Sequence, residues 1–153
     1  GPSGAMNQFW PRRIATPDLP LGVSLEHGLK LLELTGGSPF EEVDGDERSF
    51  RVNLPDAEFA IYDRDGVIHA VWYNDPAGRV TGIGRRRKLG LYMARYTKNG
   101  SWEKRIDNGW MRFYFNDIDG VCMVYGTHND VIRINRLGSN GPTSGGLDCR
   151  SSR

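Results

Sequence analysis

Three histidines, two cysteines and one dense run of cations are the residues of this chain with the most chemical reach. His69 and Cys122 lie in apolar alternating segments and His128 in a turn segment, so a cysteine nucleophile with a histidine base requires hairpins that align them. A small hydrolase or toxin domain working through His69, Cys122 or His128 is one reading. Against it, a cysteine in an apolar strand is usually an inert packing residue. No His-x-x-x-His or Cys-x-x-Cys spacing offers zinc its ligands. The turns Asp63-Arg64-Asp65-Gly66 and Asp117-Ile118-Asp119-Gly120 begin like calcium loops, yet strand residues follow where later ligands belong. They read as turn formers, and neither a metal nor a cofactor is expected.

The cation run lies in "GRVTGIGRRRKLGLYMARY", Gly78 to Tyr96. A phosphate cradle places glycine amides where a strand enters a helix, and a P-loop ends in Lys-Ser/Thr. Neither feature is present, and "LGLYMARYT" reads as a strand. Arg85, Arg86, Arg87 and Lys88 are therefore expected in an exposed hairpin loop. A nucleic-acid module using Arg85–Lys88 with aromatic side chains of the sheet is a further alternative, with nucleic acid the less favoured partner.

Two surfaces suit a protein partner. In "GWMRFYFND", alternation sets Met111, Phe113 and Phe115 on one face and Trp110, Arg112 and Tyr114 on the other. The second set holds the residue types most enriched at binding hot spots. The other surface is the acidic segment Glu41, Glu42, Asp44, Asp46 and Glu47, able to steer a basic partner from a distance. Net charge is only +1, but eleven acids fall between Asp18 and Asp63, against Lys30, Arg48 and Arg51. Nine cations and one acid, Glu103, fall between Arg79 and Arg105. Such polarity suits docking to a charged partner.

These residues need a scaffold. The chain of 153 residues is long enough for one domain with its own core. Residues 1–6 read as a cleavage-and-cloning scar, 7–137 as a single α+β domain, and 138–153 as a flexible Gly/Ser-rich tail. Three prolines make Phe9–Gly22 an extended arm. Ser24 caps a helix whose Leu25, Leu29 and Leu32 share a face with Gly28, and Gly36-Gly37 ends it. Thr35–Asp46 reads as an acidic connection. Period-two segments follow, punctuated by Asp65-Gly66, Asn99-Gly100, Asn108-Gly109 and Asp119-Gly120, which are hairpin signals. The expected fold is α+β: an N-terminal helix packed on a meandering antiparallel β-sheet of six to eight strands, with the Phe113 and Phe115 face against the helix.

In size, layout and aromatic–arginine face the chain, over residues 23–137, resembles the small immunity proteins of bacterial toxin systems, although no family motif is matched. The resemblance implies a cytoplasmic, protein-binding inhibitor that occludes a cognate toxin domain without catalysis. No segment has the length and apolarity of a membrane span.

Overall fold

Ser24 opens the first helix, α1 (Leu25–Glu33), in an extended conformation, and its side-chain oxygen accepts a hydrogen bond from the His27 amide at 3.1 Å. Leu32 is fully buried, and Leu25, Leu29 and Leu31 pack partly against the same core. Burying one such leucine contributes about 1.5–3 kcal/mol. Gly28 lets the helix lie close to the sheet: a Cβ there would stand 2.8 Å from Ile61 Cδ1. Leu34, just past the last helical residue, is exposed.

A computed structural model describes residues 17–45, 47–55, 57–74, 85–129, 131–138 and 148–150. Its eight strands are β1 (Phe40–Asp44), β2 (Glu47–Asn53), β3 (Glu58–Arg64), β4 (Val67–Asn74), β5 (Glu103–Asp107), β6 (Met111–Asn116), β7 (Val121–Gly126) and β8 (Val131–Arg136). They form one sheet in the order β1-β2-β3-β4-β8-β7-β6-β5, with antiparallel pairing throughout. The sheet is thus two four-stranded meanders of opposite direction, joined where Val71 faces Ile134. After β4 the chain must reach the far edge of the sheet, and a second helix, α2 (Arg85–Arg95), lies in that crossover.

That helix corrects the single-helix expectation. "LGLYMARY" does not alternate as a strand in the sheet. Leu89, Tyr92, Met93 and Tyr96 recur at helical spacing and pack on the core, with Tyr92 fully buried and Gly90 and Ala94 exposed. Arg85–Lys88 form the first turn of α2 instead of a hairpin loop, and their side chains lie outside the described residues. Asn99-Gly100 links α2 to β5 and makes no hairpin. The other three predicted dipeptides do turn, with Gly66, Gly109 and Gly120 all at positive φ.

Two further corrections concern faces and edges. Phe113 and Phe115 do not meet α1. They pack with Cys122, Val124 and Cys149 on the opposite side of the sheet, and Tyr114 is the residue of β6 that reaches the helix-side core. The alternation of β6 is as expected, but both its faces are apolar enough to bury, so alternation could not say which would meet the helix. The acidic connection after α1 contains β1, a strand that "FEEVD" conceals because two adjacent glutamates mask any period-two pattern.

The approach to α1 is bound into the fold. Leu19 is fully buried, and its amide donates to the Tyr73 hydroxyl at 3.1 Å. Tyr96 donates its hydroxyl proton to the Leu19 carbonyl at 2.7 Å, so the 2.5 Å contact between the two tyrosines is donated by Tyr73. Arg95 lies over the rings of Tyr73 and Tyr92 and donates to the Pro17 carbonyl. Burial raises the pKa of both Tyr73 and Tyr96, keeping this relay protonated.

Candidate functional site

Being first in the sheet order, β1 has a neighbour on one side only among the described residues, so half of its backbone hydrogen-bonding groups have no strand partner there. All five of its side chains are exposed. Phe40 and Val43 are 41% and 65% exposed, and Glu41, Glu42 and Asp44 stand with them. Arg48 approaches Glu41 at 3.5 Å and Arg51 approaches Glu42 at 3.8 Å, so part of the negative charge is answered by the neighbouring strand. Asp46 lies outside the described residues. Glu47 does not belong to this surface: it turns inward and forms a two-pronged ion pair with Arg133 of β8.

The second expected surface is dispersed. Trp110, in the turn before β6, is 67% exposed and stacks on His128 with ring centres 4.3 Å apart. Thr127 ties the two turns together by donating its hydroxyl to the Gly109 carbonyl at 2.5 Å. Arg112 is half-buried and pairs with Asp107 at 3.3 Å. Tyr114 packs partly into the helix-side core. Of the three, only Trp110 is freely presented. The Trp110 corner lies near the end of the sheet opposite β1, six strand spacings away on β6, or on the order of 29 Å along the sheet.

The catalytic candidates are not assembled. Cys122 is joined to Cys149 by a disulfide with a Cα–Cα distance of 5.7 Å, so it offers no thiolate. Both cysteines are fully buried, and Asn135 donates to Cys149 Sγ at 3.2 Å. The polar tail expected over 138–153 is therefore anchored at Asp148–Arg150, where Asp148 is also buried and paired with Arg150. Nothing in the polar composition around Cys149 signalled this. His69 sits two strands away, with Asn135 of β8 between its neighbour Ala70 and Cys122, roughly 10 Å by strand spacing. His128 is engaged with Trp110. Among the described residues no group of three or more His, Cys, Asp and Glu is placed to hold a metal ion.

The interior of the first half carries its own electrostatics, which spacing did not announce. Arg133 lies 4.0 Å over the Tyr62 ring and Arg51 lies 5.8 Å from the same ring. Arg51 also donates to the Tyr62 hydroxyl at 2.9 Å and lies over Trp72. Arg48 grips the nearly buried Asp63 with two bonds of 2.8 and 3.0 Å, which lower the carboxyl's pKa. Burial, helped by the nearby charges of Arg64 and Arg133, pushes the His69 pKa down to about 4 despite Glu47 and Asp63. At neutral pH that ring carries no charge.

Among the described residues, no helix is long and apolar enough to cross a membrane. Comparison of the chain with protein-family models, with curated proteins and with solved structures finds no match.

Proposed function

We propose that the chain is a protein-binding inhibitor of the immunity type, and that the β1 edge is the centre of its contact with a partner such as a toxin domain. The observation that carries this reading is an edge strand exposed at every position, with two large apolar side chains set among three carboxylates. A partner can add a strand to such an edge by main-chain hydrogen bonds, while Phe40 and Val43 fill shallow pockets. The carboxylates favour a basic partner and speed its approach. The alternative role for these acids is to keep the edge from self-pairing, which explains the charge but not the exposed Phe40 and Val43. The Trp110 corner supports a second, smaller contact, because an exposed tryptophan held rigid by stacking presents its area at little entropic cost.

The Cys122–Cys149 disulfide supports folding in an oxidising compartment and weighs against the cytoplasmic expectation. It also weighs against the Cys122 hydrolase, and nothing favours the nucleic-acid module using Arg85–Lys88.

The test is capture of partners from the source cells, followed by stopped-flow binding of the recovered protein at several salt concentrations. Glu41→Lys with Asp44→Lys is expected to slow association and flatten its salt dependence, and Phe40→Ala with Val43→Ala to speed dissociation. A partner that binds all three proteins alike excludes the β1 edge. Turnover of a substrate by the purified chain, lost in His69→Ala, replaces the reading with an enzyme.

A further inference from the structure

The turn between β5 and β6 holds a hydrogen-bond pattern that the binding surfaces do not use. Asn108 and Gly109 are exposed, and the Asn108 side-chain oxygen accepts from two backbone amides, Trp110 at 3.0 Å and Met111 at 2.9 Å. The Gly109 amide donates in turn to Asp107 Oδ1 at 3.1 Å. The other oxygen of that carboxylate meets Lys104 Nζ at 3.4 Å and Arg112 Nε at 3.3 Å. The bond from Gly109 leads the causes that hold the Asp107 carboxyl below the ordinary carboxylate range, so it is ionised at neutral pH.

Each of these contacts fits a part in one reaction. An asparagine side chain is open to attack at Cγ by the backbone nitrogen of the next residue, which closes a cyclic imide. For that to happen the backbone N–H must give up its proton, the side-chain oxygen must take up negative charge, and the next residue must leave room. Asp107 is in place to take the proton. Two N–H groups already aimed at one oxygen form an oxyanion hole for the charge that develops there. Gly109, at φ +85°, has no Cβ in the way.

We propose that Asn108 is a self-modification site, converted to aspartate and isoaspartate through a succinimide that its own turn assembles. As the bond from Gly109 N to Asn108 Cγ forms, the amide proton passes to Asp107 and the carbonyl electron pair to Asn108 Oδ1. Collapse breaks the Cγ–Nδ2 bond, and ammonia leaves with the proton that Asp107 held. Water then opens either carbonyl of the imide, and nothing is oxidised or reduced. The isoaspartate product lengthens the main chain of the turn by a carbon atom, just before Trp110. The contacts it disturbs are the Trp110–His128 stack and the Thr127 bond to the Gly109 carbonyl, so the modification alters the smaller of the proposed contact surfaces. The reaction itself does not depend on any partner.

Asn99-Gly100 is the internal control. There Asp119 also accepts from the glycine amide, at 2.9 Å, but it serves the Lys98 and Asn99 amides as well. Among the described residues no donor meets the Asn99 side chain, so that oxygen lacks the hole.

The test is incubation of the full chain at neutral pH, followed by peptide mapping with mass spectrometry, which reads the exchange of –NH2 for –OH and separates aspartate from isoaspartate. In the folded chain Asn108 should convert on the order of tenfold faster than Asn99. In urea sufficient to unfold the chain the two should become alike. Asp107→Ser keeps an oxygen to accept the Gly109 amide but removes the base, and should slow Asn108 on the order of tenfold. Circular dichroism checks that this variant is folded. The site is overturned if Asn108 converts no faster than Asn99, if the difference persists in urea, or if the folded Asp107→Ser chain converts at the parent rate.

Discussion

The two halves of this molecule have the same plan and are held by different means. Each is a helix followed by a four-stranded meander, α1 with β1–β4 and α2 with β5–β8, and they meet along β4 and β8. In the first half the helix is seated by shape, with leucines on the sheet and Gly28 allowing close approach. In the second, apolar packing is joined by polar bonds: Tyr96 and Arg95 donate to the backbone carbonyls of Leu19 and Pro17. The second half also carries a carboxylate clip. Asp119 accepts from the amides of Lys98, Asn99 and Gly100 and from the Asn116 side chain, joining the α2–β5 loop to the β6–β7 turn, and these donors hold its pKa far below the usual carboxylate range. The disulfide lies in that half too. The first half instead carries the exposed acidic edge and the buried His69. Cross-links and clips thus concentrate in one half, and the main surface proposed for binding, the β1 edge, in the other, as expected where a rigid part supports a part that meets ligands.

The largest effect should come from cutting the seam between the halves. Glu47→Ala leaves the Arg133 guanidinium, 7% exposed, without its carboxylate, and urea unfolding should show a loss of about 3–5 kcal/mol. Replacing both residues by apolar ones of similar volume should cost much less, which separates charge isolation from lost packing. Next comes the staple of the second half. Cys122→Ala with Cys149→Ala frees a loop of 27 residues and should cost about 3 kcal/mol, with no further loss on adding reductant. If the halves are as different as their contacts, hydrogen exchange in that variant should rise most in β6 and β7.

A pH series then addresses the first half. Folding holds His69 neutral down to about pH 4, whereas the unfolded ring takes a proton near pH 6.5, so stability should fall as pH drops through that window. The size is on the order of 2–3 kcal/mol, and His69→Gln should flatten the curve between those limits. The carboxylates with lowered pKa, Asp63, Asp107 and Asp119, act at lower pH, because their contribution is lost only as acid titrates them below the ordinary carboxylate range. The smallest effect belongs to the edge: Glu41→Lys with Asp44→Lys should change stability by less than about 0.5 kcal/mol while altering association with a partner.

How legible this was in the sequence depends on the kind of signal. Ser24, the leucines after it and the Asp-Gly and Asn-Gly turns are local, and they mark α1 and three hairpins correctly. The α2 helix was legible in principle, since Leu89, Tyr92, Met93 and Tyr96 lie on one helical face, but glycines and an arginine run beside it suggested a loop. The sides on which Phe113 and Phe115 would pack, and the pairing of Cys122 with Cys149, depend on which distant segments cover each face of the sheet, and no local pattern encodes that. The same holds for the sites. Glu41, Glu42 and Asp44 share an edge because they lie on one short exposed strand, whereas Glu47 looked like their neighbour and faces Arg133, 86 residues away. That contact exists only once β4 and β8 are paired.

That pairing also governs how the chain can fold. Ala70 meets Asn135 across 65 residues of sequence (135 − 70), so the central ladder closes only after both meanders exist, and closing so large a loop slows folding. Until β8 arrives, β4 presents an open edge running from Ala70 to Asn74, with Val71 and Tyr73 among its buried side chains. A chain growing from the ribosome completes that strand long before its partner is made. The hazard is aggregation during synthesis, at an edge that the finished protein hides at its centre.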